Sequence, residues 1–237
     1  MSDVDPRRAL SFGAAAEAYA AARPSYPVDA VRFVLPAAAR TVLDLGAGTG
    51  KLTSVLLDLG LEVIAVEPDD AMRALIDPRA TALAGTAEDV PVADASVDAV
   101  VVGQAWHWFD EAAALASVRR VARPGGSLGL LWNVLDDSEG WPQALALHIG
   151  MEDRLSLVNR SDTSPTAETS GTWRRELFHH EQPADADVVV ANLASRSIVI
   201  VMPEAERAAH LDRARTLVPD GRFALPWVCD TWTTTLA

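Results

Sequence analysis

Residues 41 to 50 read Thr-Val-Leu-Asp-Leu-Gly-Ala-Gly-Thr-Gly, and a helical pattern begins at Lys51. An apolar run carries Asp44 near its end and passes into a loop with glycine at every second position. Glycine permits φ > 0 and lets a ligand approach where a Cβ would collide. In a strand–loop–helix unit this places a ligand site at the carboxyl end of the strand. The spacing narrows the ligand. The dinucleotide fingerprint G-x-G-x-x-G needs glycine at 51, which is Lys51. The phosphate loop G-x-x-x-x-G-K-[ST] needs glycine at 45 and Ser or Thr at 52, where Leu45 and Leu52 stand. What remains is D-x-G-x-G-x-G.

The surrounding pattern alternates. Apolar, β-rich runs at 41–45, 62–66, 81–84, 97–102 and 127–132 are expected strands. Between them, helices are expected at 52–59, at 69–76 with Asp69 as N-cap, and at 110–122, where Leu115, Val118 and Val121 share a face. Arg123-Pro124-Gly125-Gly126 should stop the last of these. Near-continuous Val/Ile/Leu strands alternating with helices imply a parallel sheet buried on both faces. Upstream, helices are expected at 9–21 and 28–35, with Pro27 at the first helical position of the second. Downstream lie expected helices at 140–158, 184–193 and 203–217, a polar loop at 159–172, and strands at 176–181 and 224–235. Pro226 should confine the last strand to an edge or to a late start.

Bulk properties exclude several classes. The chain has 237 residues, enough for one large α/β domain, and 49% of them are hydrophobic. The net charge of −13, with pI ≈ 4.7, argues against nucleic acid and against an anionic membrane surface. Cys229 is the sole cysteine, so an intrachain disulfide is impossible. Residues 1–8 are polar, unlike a signal peptide, and no run is apolar enough for a membrane helix. A cytoplasmic chain is expected. No metal site is expected, since the five histidines are scattered and His179-His180 would point to opposite faces of a strand. No G-x-S-x-G nucleophile elbow is present.

The D-x-G-x-G-x-G string resembles motif I of the class I S-adenosylmethionine (SAM) dependent methyltransferases. SAM presents an amino-acid end, a ribose diol, an adenine and a sulfonium methyl. Asp44 would accept from the ligand's ammonium, directly or through water, as a charge-assisted bond. Gly46, Ala47 and Gly48 would let the loop pass close to the ligand, and Gly50 would let the next helix pack tightly. Glu67, followed by Pro68, ends the second strand, where an acid can take both ribose hydroxyls. After strand three, the run 85–91, Ala87 included, offers a backbone N–H and a side-chain acceptor to the adenine edge. The resemblance implies an acid here, either Glu88 or Asp89. After strand four, Trp106, Trp108 and Phe109 would form an apolar wall, with His107 as the titratable group and candidate general base.

The resemblance extends further. Phe12-Gly13, Ala16, Tyr19 and Arg23-Pro24-Ser25-Tyr26-Pro27 are similar to the opening of a bacterial and fungal group of small-molecule methyltransferases that includes the trans-aconitate methyltransferase-like proteins. Gln104-Ala105-x-His107-Trp108-Phe109-Asp110 and Leu225-Pro226 fit the same group. It implies a Rossmann-like, seven-stranded, mostly parallel sheet with helices on both faces, in one domain spanning 1–237. An N-terminal helical cover at about 9–36 and an acceptor-side insertion at about 134–175 would complete it. Tyr19, Arg23 and Gln104 would lie at the cofactor; Tyr26, Trp106, His107 and Trp108 at the acceptor. The expected activity is in-line transfer of a methyl group from SAM to a small molecule, a carboxylic acid or a hydroxyl compound, by a monomer or homodimer. The alternatives are a non-catalytic SAM-binding protein of the same fold and an NAD-type oxidoreductase.

Overall fold

The computed structural model describes residues 23–138, 140–148 and 172–236. The expected helix at 9–21, with Tyr19, lies outside these residues. So do the 159–172 loop, except its last residue, and the 140–158 helix beyond His148. The first strands and helices follow the expected alternation. They are α1 (Val28–Val34), β1 (Thr41–Leu45), α2 (Lys51–Asp58), β2 (Glu62–Val66), α3 (Asp70–Arg73), β3 (Thr81–Leu83), β4 (Val97–Gly103) and α4 (Glu111–Val121). A single 3-10 turn, Trp106–Trp108, separates β4 from α4. After α4 come β5 (Ala122–Leu135), α5 (Trp141–His148), β6 (Arg174–Ala184), α6 (Ala186–Ala194), α7 (Ser197–Ile200), α8 (Glu204–Arg215) and β7 (Phe223–Thr235).

The seven strands form one sheet in the order β3-β2-β1-β4-β5-β7-β6. β1 pairs in parallel with β2 and β4, β2 with β3, and β4 with β5. β7 runs antiparallel to β5: the Leu236 amide donates to Gly126 O, and the Asp136 amide to Pro226 O, so one strand advances as the other retreats. Strand order reverses beside β1, between β2 and β4, which opens a crevice at their carboxyl ends.

Four expectations need correction. Pro27 is the residue before α1 rather than its first helical residue: its ring fixes φ at −64°, which helix and extended backbone share, and its ψ of 137° is extended. α3 is one short turn, although Asp69 caps it as expected, accepting from Ala71 N and Met72 N at 2.9 Å. The helix stops before Arg123–Gly126 as expected, but the strand expected from 127 already begins at Ala122. The ladder slips between the Val97–Ala122 and Ala99–Ser127 pairs, so the glycines absorb a bulge. Finally, β7 sits between β5 and β6 instead of at an edge. Its proline is tolerated where the ladder uses only a carbonyl, Pro226 O accepting from Asp136 N.

The chain divides into two compact units. In described residues, the first comprises 25–132, 172–178 and 229–236; the second comprises 23–24, 133–138, 140–148 and 179–228. In the first unit the two-residue period of the strands sends side chains to two cores. Leu43, Leu45, Val100 and Val102 join Ala114, Leu115, Val118 and Val121 of α4 on one face. Val42, Ala99 and Val101 join Val31 and Val34 of α1 and Leu52 and Leu56 of α2 on the other. Val34 lies so close over Gly129 that a Cβ there would overlap it, and Ser127 Oγ donates to Val34 O at 2.7 Å. In the second unit, Val134 and Leu135 pack with Leu145, Val189, Leu193, Ala214, Leu225 and Trp227.

Candidate active site

Asp44 is the fourth residue of β1 and is buried. Thr53, fully buried on the first turn of α2, donates from Oγ1 to Asp44 Oδ2 at 2.6 Å. Asp44 Oδ1 is buried with no hydrogen-bond partner. Burial pushes the Asp44 carboxyl up to about 7, against the lowering effect of Thr53; the nearby Glu67 carboxyl adds to the rise. Thr53 was not expected from the sequence. Its signal was present, since a threonine occupies the same face of the amphipathic helix as Leu52 and Leu56.

The three glycines of the loop have three different jobs. All have positive φ, at 71°, 57° and 82° for Gly46, Gly48 and Gly50. A Cβ on Gly46 would stand 2.8 Å from Ala105 Cβ and 3.1 Å from Phe109 Cζ, so this glycine receives the aromatic turn rather than a ligand. A Cβ on Gly50 would press on Ile76 Cα at 3.2 Å, a close approach to the segment after α3. A Cβ on Gly48 would meet nothing within 4 Å. The loop's open surface is therefore at Gly48. The amides of Gly46 and Ala47 are both spent on Val66 O, at 2.9 and 3.1 Å, which locks the loop to the end of β2.

Glu67, one residue past β2, is also buried. Its Oε2 accepts from Gly48 N at 2.8 Å and its Oε1 from Asp69 N at 2.9 Å. Burial raises the Glu67 carboxyl above its ordinary value, and these two backbone N–H groups oppose the rise. Pro68 turns the chain from Glu67 into the Asp69 cap, and Arg73 Nη1 donates to Glu67 O at 2.9 Å. The acid expected at the ribose thus also holds the open glycine in place.

After β4 the backbone makes an unusual bend. Gln104 has φ 60°, a conformation that side chains beyond Gly and Asn seldom adopt, and its amide is held by Leu131 O at 2.9 Å. The turn that follows divides the expected aromatic wall. Trp106 faces the sheet and belongs to the core, 5% exposed, with the Phe109 ring edge-on at 5.7 Å. Phe109 backs onto Gly46. His107 is exposed and Trp108 half-exposed, their rings 4.8 Å apart. His107 and Trp108 form the outward face, with Phe109 half-exposed beside them. Tyr26 sits near the same strand end, its hydroxyl where a Cβ of Gly103 would be, and is buried among core residues.

After β3, Ala87 is buried and Glu88 and Asp89 are exposed. Glu88 turns toward the aromatic turn: its Oε1 accepts from Asp110 N at 2.9 Å, and its carbonyl accepts from Ser117 Oγ at 2.9 Å. Asp89 N donates to Thr86 Oγ1 at 3.3 Å. The structure therefore gathers Asp44, Gly46, Ala47, Gly48, Glu67 and Pro68 around one crevice, with Gln104 to Trp108 and Ala87–Glu88 on the neighbouring strand ends. Arg23 belongs to the second unit, where its guanidinium donates to Ser195 Oγ at 3.1 Å and Ser195 O at 3.4 Å. Among the described residues, no three of His, Cys, Asp and Glu converge closely enough to hold a metal ion.

These features fit SAM. A buried carboxylate oxygen without a partner suits an ammonium, and the space beyond Gly48 suits a ligand backbone. Known proteins agree. The family model described as "Methyltransferase domain" matches residues 43–130. An uncharacterized methyltransferase of Mycobacterium tuberculosis H37Rv is 44% identical over 92% of this chain and 93% of its own length. An uncharacterized methyltransferase-like protein of Schizosaccharomyces pombe is 37% identical over 85% and 84%. A solved structure of a candidate type II methyltransferase from Anaeromyxobacter dehalogenans shares 25% identity over 90% of this chain and 98% of that one, with a TM-score of 0.67. With the glycine spacing, the switch-point crevice and these relatives all in agreement, the chain belongs to the class I SAM-dependent methyltransferases and takes SAM as its cofactor.

Proposed function

We propose that this methyltransferase acts on a small organic acceptor, a carboxylic acid or a hydroxyl compound, at the face formed by His107 and Trp108. The observation that carries the reading is the contact of Phe109 and Ala105 with Gly46, which sets that turn directly against the cofactor loop. SAM, when bound, supplies an electrophilic methyl carbon open to in-line displacement. This chain's part is to hold the amino-acid end at Asp44, the ribose at Glu67 and the acceptor beside the turn. Alignment of this kind is worth ~7–11 kcal/mol in favourable cases. A carboxylate acceptor needs no base; a hydroxyl acceptor would give its proton to His107, the nearest exposed imidazole on the turn.

The charge of −13 supports an acceptor other than nucleic acid. The likeness of Arg23-Pro24-Ser25-Tyr26-Pro27 and the 104–110 run to the trans-aconitate methyltransferase-like group supports a small one. No helix among the described residues is long and apolar enough to cross a membrane. The reading includes a cytoplasmic chain, monomeric or homodimeric. The test is transfer of radiolabelled methyl from SAM to a small-metabolite extract, with purified DNA, RNA and protein as parallel acceptors. Label in low-mass products is the expected result. Label confined to a macromolecule overturns the proposal.

A further inference from the structure

The turn that presents His107 and Trp108 is fixed at three points. At its start the Gln104 amide is held by Leu131 O, in a backbone conformation with φ 60°. In its middle, Phe109 and Ala105 rest on the side of Gly46 that has no Cβ. At its end, Asp110 N donates to Glu88 Oε1, from a segment on another strand end. Asp110 is itself the N-cap of α4, its carboxylate accepting from Ala113 N at 3.0 Å. Glu88 therefore fixes the residue at which the turn becomes a helix. The segment carrying Glu88 is in turn bound along α4: Ser117 Oγ donates to Glu88 O, and Arg120 donates to Val92 O at 2.7 Å and Val90 O at 2.6 Å.

We infer that Glu88 is a positioning residue for the acceptor face, which acts through Asp110 N to fix the pose of His107 and Trp108, and is not a ligand of the cofactor. This rests on the reading of that face as the acceptor site. The bond is charge-assisted and joins a carboxylate to a backbone N–H whose alternative partner is water. A residue of fixed pose matters most for alignment, where small displacements of a reacting group cost large factors in rate. Asp89, whose carboxylate is one position along, cannot substitute from its place, because the geometry at Asp110 is met by Glu88 alone among the described residues.

The test uses the full chain and SAM itself as probe. Glu88→Ala removes the acceptor oxygen; Glu88→Gln keeps a carbonyl oxygen of the same reach. Glu88→Asp keeps the charge but draws it back by one methylene, and is expected to follow Glu88→Ala. By titration calorimetry Glu88→Ala binds SAM within threefold of wild type. By hydrogen exchange its 106–112 amides exchange about tenfold faster, the scale of a lost charge-assisted bond. Glu88→Gln, which keeps a neutral acceptor oxygen, restores most of the protection. With the metabolite extract as acceptor, the half-saturating extract concentration rises for Glu88→Ala and returns with Glu88→Gln, while half-saturation in SAM stays put. A loss of SAM affinity beyond threefold in Glu88→Ala, or unchanged exchange at 106–112, overturns the inference. Absence of any labelled small molecule in wild type would instead count against the acceptor reading, and the calorimetric and exchange results still decide the role of Glu88.

Discussion

A carboxyl raised to about 7 from an ordinary 3.8 gives Asp44 a role that a simple count of bonds would miss. A carboxyl whose folded value lies above its unfolded value takes up a proton on folding. Its ionisation therefore costs stability, and that cost accrues as pH rises from 3.8 through about 7. The contribution of Asp44 to the stability of the ligand-free protein is expected to fall over that window, while His180 and His210, lowered by burial, act in the opposite sense. Asp44→Asn, which cannot ionise, should flatten the loss and be more stable than wild type at pH 8, as urea unfolding at several pH values would show. The same change should weaken SAM by ~10–100-fold, since an ammonium–carboxylate bond is worth about 1.5–3 kcal/mol. For wild type, SAM affinity should rise between pH 6 and 8 with release of a proton, visible as a buffer-dependent binding enthalpy. Equal SAM affinity in Asp44→Asn and wild type at pH 8 would remove Asp44 from the ammonium site.

The loop glycines can be separated by a paired substitution. Gly46→Ala meets Ala105 and Phe109 and carries left-handed backbone strain, so it should cost ~2–4 kcal/mol of stability, combining a backbone and an overpacking penalty. Gly48→Ala carries only the backbone strain, ~1–2 kcal/mol, because nothing stands within 4 Å of the new methyl. Its effect should fall on SAM binding instead. If Gly48→Ala bound SAM with wild-type affinity, the open face at Gly48 would not be the ligand's path.

At the scale of elements, packing explains both what the sequence made legible and what it hid. β1 and β2 could be bounded to the residue because each is a short, near-continuous apolar run, closed by Gly46 after β1 and by Glu67-Pro68 after β2. The bulge in β5 could not, because Arg123-Pro124-Gly125-Gly126 carries the composition of a turn, and only the neighbouring strand β4 turns it into a ladder irregularity. The three-residue turn at Trp106 is too short to have a readable period, so the inward placement of Trp106 and the outward placement of His107 were not separable in advance. The bond from Asp110 N to Glu88 was hidden for the same reason as the bulge, since its two partners lie 22 residues apart in the chain. Gly129 shows the same dependence: nothing nearby in sequence signals that α1 lies on it. Gly129→Ala should force Val34 off the sheet and cost about 1–3 kcal/mol or more, measured as a lower urea midpoint at unchanged slope.

At the scale of the whole molecule, every described residue around the crevice, from Asp44 through Glu67 to Asp110, falls in the unit comprising residues 25–132, 172–178 and 229–236. That unit is assembled from three stretches of chain, so its stability depends on closing long loops, and a ligand that binds only the folded form should stabilise it by mass action. At a hundredfold excess over its dissociation constant, SAM or its demethylated product adds ~2.7 kcal/mol. For a chain of this size each kcal/mol moves the thermal midpoint by about 2–4 °C, so a shift of ~5–10 °C is expected. Hydrogen exchange should place the gain along the glycine loop, at Gly46, Ala47, Gly48 and Gly50, whose amides are already tied to Val66, Glu67 and Ala47, and at the Glu67–Asp69 cap. The acidic surface adds a second expectation to the same experiment. Because the −13 charge is spread over the chain and the cofactor's net charge is small, raising salt should leave this shift nearly unchanged. A midpoint that fails to move at saturating SAM, or protection confined to residues 179–228, would show that the crevice at the end of β1 is not where the cofactor binds.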